Sequence, residues 1–558
     1  MTGQGFRVSV PPRTLGREVQ RMACERLPCK QGSKFALHHM EKKLMLHKTL
    51  QQQGLESAAT LSCTRIPTNV YDAWRYIMCR DGDESALEGV TRINFAPAGQ
   101  YLRYLPQTLQ TLSFYNRHLN LSRKNMTLPH SLRDLSFGDQ FNRLDNVTLP
   151  SGLRSLSFGK NFNQSLDHVT LPSGLQSLSF GDRFNQSLEC MTFPSSLQSL
   201  SFGRGFDKSL ECVTLPSSLE SLSFGERFNQ SLERLTLPSG LKILSFGGRF
   251  NKSLEGVSLP ARLQSLSFGQ MFDQSLEQVA LPNSLQDLSF CSGFKQPLHR
   301  MTWPSGLQSL SLSVALKRSI EGMNLPSGLQ SLSLSVGLQQ SIEGMNLPHG
   351  LQSLSFGDGF NQSVKNITLP TGLQSLSFGR DFDQSLDHVT LPSGLQSLSF
   401  GDKFNQSLER MTFPSSLQSL SFGDDFNRSL EHITLPSSLQ SLNFGASFNQ
   451  RLTHVTLPAG LQSLTFGEEF DQSLGGVTLP VGLQSLTFGE EFDQSLEGVT
   501  LPAGLQSLTF GKEFDQSLEG VTLPAGLQSL TLNQSLEGVT LPSSLQELCL
   551  AGLRVSCC

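Results

Sequence analysis

Apolar residues return along this chain at one fixed spacing. In residues 167–188, DHVTLPSGLQSLSFGDRFNQSL, they stand at Val169, Leu171, Leu175, Leu178, Phe180, Phe184 and Leu188, with polar residues, Gly or Pro between. The intervals alternate between two and three or four, which fits neither one long amphipathic helix nor one simple strand. Residues 387–408 repeat the stretch with a single change, Lys403 standing where the first copy has Arg183. Prolines mark the same period of 22 residues from Pro150 to Pro524 without a break, and Pro542 follows after 18.

A period of this kind predicts a coil of short segments, one coil per unit. VTL and LSF each have the apolar spacing of a brief parallel strand, and equivalent strands of successive units would stack about 4.8 Å apart. No single coil can bury its own apolar residues, so stacking makes the core, and matching positions must carry matching residues. The proline after VTL ends that strand because it has no N–H for the ladder. The glycine after LSF, as Gly181, Gly203 and Gly225, suits a turn with unusual dihedrals. At Phe184-Asn185 the Asn is replaced by Asp in other units, for instance Asp207, Asp273 and Asp493. A side-chain oxygen is therefore the shared requirement, expected to accept a backbone N–H in the turn. Most of these Asn residues, including Asn163, Asn185, Asn229 and Asn405, also head N-x-S sequons. The Asp units cannot be glycosylated, so the structural reading of the column is preferred.

The recurring Leu-Pro, Phe-Gly and Phe-Asn of LPSGLQSLSFGDRFNQSL are similar to the FNIP repeat, a short leucine-rich-repeat variant, and more loosely to the leucine-rich repeats of bacterial surface antigens. The resemblance runs from about residue 85 to 548 and departs in reading FNQS where the family name has Phe-Asn-Ile-Pro, with Pro297 in FKQPL the nearest relic. It implies a mainly β, leucine-rich-repeat solenoid used for protein interaction, without enzyme activity or cofactor. Some proteins with such repeats carry an amino-terminal F-box, of which only VYDAWRYI (Val70 to Ile77) is a faint echo.

Three segments follow: 1–84, an amino-terminal helical cap that is partly disordered; 85–548, about 20 repeat units; and a short tail, 549–558. Within the first, KFALHHMEKKLMLHKTLQQQGLES has helical apolar spacing through Phe35, Leu37, Met40 and Leu44. Leu548, Leu550 and Leu553 form a minimal closing turn. An array without a strong polar cap leads to an expectation of end-to-end self-association.

Charge divides the chain. Residues 1–100 hold 14 Lys and Arg against 9 Asp and Glu, which leaves 29 against 38 for the remainder. The acidic array has no basic stripe, so nucleic acid is not an expected partner. No run of about 18 apolar residues exists for a membrane helix, and the amino terminus lacks the apolar stretch of a secretory signal, so a cytoplasmic protein is expected. Arg7, Arg13 and Arg17 precede the first acid, Glu18, which leaves organellar targeting open. The ten cysteines lack zinc-finger spacing and read as reduced thiols.

Candidate chemistry is confined to the surface columns. Acids recur before VTL, as at Glu189, Glu211, Glu233 and Glu255, although like charges about 5 Å apart repel by about 3 kcal/mol at an effective dielectric near 20. The bland reading is a solubilising edge, and the sharper one a track for a basic partner or divalent cations. The next position varies and could carry specificity: Arg234, Arg300, His388, Arg410, His432 and His454 are the candidates. Ser177, Ser179 and their equivalents form a hydroxyl lattice read as strand cover. No nucleophile elbow, phosphate loop or metal-binding helix motif occurs, and no metal or cofactor is expected. The sequence therefore reads as a non-catalytic interaction scaffold. Adhesion or glycan binding and an F-box-like substrate receptor are the alternatives. The clearest breaks in the pattern, SLSVALKRSIEGMNLP and SLSVGLQQSIEGMNLP, read as a local bend or looser joint.

Overall fold

The computed structural model describes residues 91–94, 105–114, 126–313, 323–334 and 345–550 with isolated gaps, together with four separate strands, Lys34–His39, Lys42–Lys43, Ser62–Ile66 and Leu553–Ser556. The chain divides into two units, Met1–Gly203 and Arg204–Cys558, and the same rung builds both.

Each rung is one coil with three hydrogen-bonded corners. In residues 166–184 the amides of Val169, Leu175 and Phe184 donate to the carbonyls of Leu166, Pro172 and Gly181, at 2.9, 3.1 and 3.2 Å. Between the second and third corners runs the strand Ser177–Ser179, with Leu178 turned inward and both serines half-buried. Its neighbours pair in parallel and in register at an offset of one unit, Leu156 to Leu178 to Leu200. The second unit repeats the pattern, for example Leu398 to Leu420 to Leu442.

Leu175, Leu178, Phe180 and Phe184 fill the coil and are at most 3% exposed. The two phenylalanines stack within their rung at 4.0 Å between ring centroids. Neighbouring rungs stand 5.7 Å apart at the first ring (Phe158 to Phe180) and 6.0 Å at the second (Phe162 to Phe184). In the second unit the same measures are 5.5 Å and 6.1 Å. Strand backbones in a ladder lie about 4.8 Å apart. Rungs therefore fan open away from the strands, and the strands line the inner, concave side of each unit.

The fanning explains why VTL is not a second ladder. A two-residue pairing of Met126–Thr127 with Val147–Thr148 is all that forms among the described residues. Elsewhere the return leg has no ladder, because rungs about 6 Å apart at the rings are too distant for strand hydrogen bonds and the proline supplies no donor.

Glycine after LSF has a different cause from the expected dihedrals. None of these glycines has a positive φ. A Cβ on Gly181 would lie 1.9 Å from the Gly159 carbonyl oxygen, and one on Gly445 would lie 1.9 Å from that of Gly423. Close approach of successive rungs is what excludes a side chain there.

The strand ladder continues unbroken through the divergent stretch. Asp287–Phe290, Ser309–Leu312, Ser331–Leu334 and Ser353–Phe356 pair over four positions where most other strands have three. The strand side of this stretch is thus continuous, while 314–322 and 335–341 lie outside the described residues. At the carboxyl end Leu553–Ser556 turns back antiparallel on Glu547–Leu550, so the expected closing turn is a return strand.

The amino-terminal expectation of helix is corrected where the chain is described. Lys34–His39 is a strand, paired antiparallel with Ser62–Ile66 over five positions and with Lys42–Lys43. Its alternation of Phe35 and Leu37 already fits a period of two, and pairing partners decide between strand and helix in so short a segment. The rest of 1–84, including Val70 to Ile77, lies outside the described residues. No helix among the described residues is long and apolar enough to cross a membrane.

Candidate interaction surface

The Asn and Asp column is a ladder between rungs. Asn163 Oδ1 accepts the backbone N–H of Asn185, one unit on, at 2.8 Å, and also the Gln186 side-chain amide at 3.0 Å. Asp does the same: Asp471 Oδ1 accepts the Asp493 N–H at 3.0 Å and the Gln494 amide at 2.9 Å. The sequence identifies the acceptor correctly and its partner incorrectly, since the donor is the next rung's amide. The serine of NQS is also engaged, with Ser187 Oγ accepting the Glu189 N–H at 3.3 Å. Both sequon side chains therefore serve the fold.

The acid column and the position after it occupy the corner closed by the Leu166 to Val169 type of hydrogen bond. Glu189, Glu211, Glu233, Glu255, Arg234, Arg300, His388, Arg410, His432 and His454 are all exposed, at most one or two per rung, and form no cluster. Arg234 approaches Glu211 at 3.9 Å and His432 approaches Glu431 at 4.0 Å. Among the described residues no three metal-ligating side chains come together. Cys190, Cys212, Cys291 and Cys549 are free thiols, and burial pushes the Cys291 thiol up.

Backbone geometry accounts for the glycines at the variable position. Gly256, Gly476, Gly498, Gly520 and Gly538 have φ between +74° and +81°, and His388 and His432 share it at +68° and +69°. A positive φ at the third residue of such a turn favours glycine, and an L side chain costs about 1–2 kcal/mol there. We expect His388→Gly and His432→Gly each to stabilise the chain by about 1 kcal/mol, net of the extra freedom glycine gains when unfolded. Thermal unfolding measures it, and an unchanged or lower midpoint for both variants would contradict the assignment.

The corner after Phe-Gly carries charges that pair along the array. Lys403 reaches Asp381 at 2.7 Å, Arg380 reaches Asp402 at 3.4 Å, and Lys512 pairs with Glu490. The hydrogen bond to Asp381 and that group's charge raise the Lys403 pKa. These pairs are exposed and add little to stability.

The strand side, read from sequence as hydroxyl cover alone, carries a second column. Serines there hydrogen-bond to one another in places, as Ser267 to Ser245 at 2.8 Å. Beside them, at the residue before each strand, glutamine holds 14 successive rungs from Gln264 to Gln546. Every one is exposed, and among the described residues none of these side-chain amides takes part in a hydrogen bond of the fold. Gln186 and its equivalents, by contrast, are tied to the Asn ladder. Departures from the glutamine rule among the described rungs are few: Thr91, Arg133, Arg154, Glu220 and Lys242, of which Lys242 and Glu220 pair at 2.9 Å. Ile243, at the following position, is 45% exposed. The signal that marks these residues is deviation within an otherwise uniform column.

No curated protein matches the chain. The FNIP Repeat family matches it from 120 to 293 and from 338 to 552, in segments of about two units each, and leaves 294–337 unmatched. Among solved structures, CroV588, described as a novel circular LRR protein, is 37% identical with a TM-score of 0.62, covering 80% of this chain and 70% of its own. YopM from Yersinia enterocolitica WA-314 is 19% identical with a TM-score of 0.31, covering 82% and 84%. An internalin, InlF, from Listeria monocytogenes is 14% identical with a TM-score of 0.30, covering 64% and 86%. Rungs closed by Leu-Pro, Phe-Gly and Phe-Asn, matched over most of the chain and in a solved relative, place this protein in the family of FNIP-repeat proteins with the leucine-rich-repeat fold.

Proposed function

We propose that the chain is a non-catalytic scaffold that binds protein partners along its strand side. The observation that carries this reading is the row of exposed glutamine amides with no role in the fold. A donor and an acceptor are presented on each of the 14 rungs from Gln264 to Gln546, in a column that the core, the glycine contacts and the Asn ladder do not need. Many equal, individually weak hydrogen bonds suit an extended partner held by repetition. The concave curvature of each unit favours the same side, since a partner lying in a concavity touches more rungs than one on the outer face.

The acid corner is the competing surface. Its residues are exposed too, but Ser187 and its equivalents fix the backbone there, and part of the next column is set by the left-handed turn. A basic partner remains the occupant that corner would take.

The test compares two variants in capture from the protein's own cells, followed by mass spectrometry. One carries Gln352→Arg, Gln374→Arg and Gln396→Arg on the strand side; the other carries Glu211→Gln, Glu233→Gln and Glu255→Gln on the corner. We expect the captured proteins to be lost from the first and kept by the second. The reverse pattern would move recognition to the acid corner, and retention by both would sink the strand-side reading. A purified chain that binds hydroxyl-rich glycans and captures no protein would favour the adhesion alternative.

A further inference from the structure

In the first unit the strand side changes character over four neighbouring rungs. Strand Arg92–Asn94 pairs with Thr111–Ser113, that with Asp134–Ser136, and that with Ser155–Ser157. Arg92 takes the outward strand position that serine holds in most rungs, and Arg133 and Arg154 take the position that glutamine holds. All three arginines are exposed, and among the described residues no carboxylate lies within ion-pair distance of any of them. Among the described residues the one acid on this face, Asp134, accepts a hydrogen bond from Thr111 Oγ1 at 3.1 Å. The patch therefore carries three cations against one anion, on an array whose remaining charge is acidic.

Nothing among the described residues asks for these arginines. Among the described residues Arg133 and Arg154 donate and accept only through their backbones, Arg154 N–H to Arg133 carbonyl at 2.7 Å, as Gln176 and Gln198 do in the rungs that follow. Adjacent cations about 4.8 Å apart repel, so the sequence keeps a cost that glutamine would remove. Lys242, the other cation in this column, differs in being paired with Glu220.

We infer that the four-rung patch of Arg92, Arg133 and Arg154 is a docking site for an acidic, extended peptide segment of a protein partner. The inference rests on the strand-side reading above and names the partner's chemistry. The patch spans about 15 Å across the strands, and alternate side chains of an extended segment stand about 6.7 Å apart, so carboxylates two residues apart can reach different arginines. Each guanidinium can hold a carboxylate through two parallel hydrogen bonds. Gln110, Gln176 and Gln198, exposed on the same column, supply amides for the segment's backbone. A nucleic acid is disfavoured because the cations stop after Arg154, where a phosphate backbone would need a longer track.

The experiment titrates the full chain with a short fluorescein-labelled polyglutamate peptide at low salt. The triple variant R92S/R133Q/R154Q restores the residues most rungs carry and so keeps the fold; K242Q is the control. We expect binding to the parent chain that weakens as salt rises, a Kd at least about tenfold higher in the triple variant, and no change in K242Q. Equal binding by parent and triple variant, or no binding by the parent, overturns the inference. Equally tight binding of an oligothymidylate of matched charge overturns it as well, since the patch would then read charge alone. If the triple variant binds like the parent while Gln352→Arg, Gln374→Arg and Gln396→Arg still abolish partner capture, this inference fails and the strand-side reading stands.

Discussion

Gly445→Ala should destabilise its part of the array by about 3 kcal/mol or more, at the upper end of what overpacking costs. The added Cβ would sit 1.9 Å from the Gly423 carbonyl oxygen, and the atom it meets is backbone. No rotamer change relieves that contact. Relief would require the rungs to part by more than an ångström, which would stretch the ladder joining Ser419–Ser421 to Ser441–Asn443. The chain itself contains the other solution. Cys291 and Ser313 carry a Cβ in this column, and around them the strands lengthen to four residues, with the Ser313 amide donating to the Phe290 carbonyl at 2.9 Å. The close approach moves two residues on, to Gly293, whose Cβ would meet the Gln270 carbonyl at 1.9 Å. A lone alanine at 445 has rungs on both sides that follow the short route, so it cannot adopt the long one. Gly174→Ala is the matched control. Its Cβ would lie 3.8 Å from the nearest atom, at a position where other units carry Ser196 or Ser218, and its effect should stay within about 0.5 kcal/mol. Hydrogen exchange of the strand amides either side of residue 445 reads the effect locally, as suits an array whose rungs contact only neighbours. Equal protection in both variants would show that the glycine column is not held by contact.

Which features were legible from sequence follows from what a spacing can encode. The strand at LSF, the buried leucines and the paired phenylalanines were readable because burial repeats with the coil. The Asn column was readable as an acceptor because Asp replaces it, at Asp207 and Asp471 for instance. Its donor was not, since an amide in the same turn and one 22 residues away look alike in a periodic string. The glycine column misled for a related reason: glycine answers both a positive φ and a close approach, and only the position of Gly159 against Gly181 distinguishes them. The VTL ladder failed because the fanning of rungs is a property of the stack and is absent from any one unit. On the candidate surface, the sequence favoured the corner, where residue types vary most. That variation, from His388 to Gly476, is partly turn geometry, while the strand side was discounted for its uniformity although four charged departures from glutamine stand out on it.

Phe404→Ala is expected to cost about 3–5 kcal/mol, the range for emptying a large buried site. Phe404 is 0% exposed, stacks on Phe400 at 4.0 Å, and stands 6.0 and 6.1 Å from Phe382 and Phe426 in the adjoining rungs. A truncation there leaves a void whose walls belong to three coils, and none can close on it without pulling its strand out of register. The first ring of each pair is less strictly held. Leu312, Leu334 and Leu532 fill that column in other rungs and remain at most 1% exposed. Phe400→Leu should therefore cost less than about 1.5 kcal/mol, as a buried apolar exchange with repacking does. Coupling between the two rings separates stacking from mere volume. In a cycle of Phe400→Ala, Phe404→Ala and the double variant, face contact predicts an interaction energy of about 0.5–1.5 kcal/mol beyond additivity. Additive losses would mean that the aromatic columns only fill space, and any large apolar residue would then serve. A measured coupling would instead explain why the described rungs keep phenylalanine in the second column wherever they keep the glycine contact: the flat ring lets coils approach at the strands and still fan apart at the core.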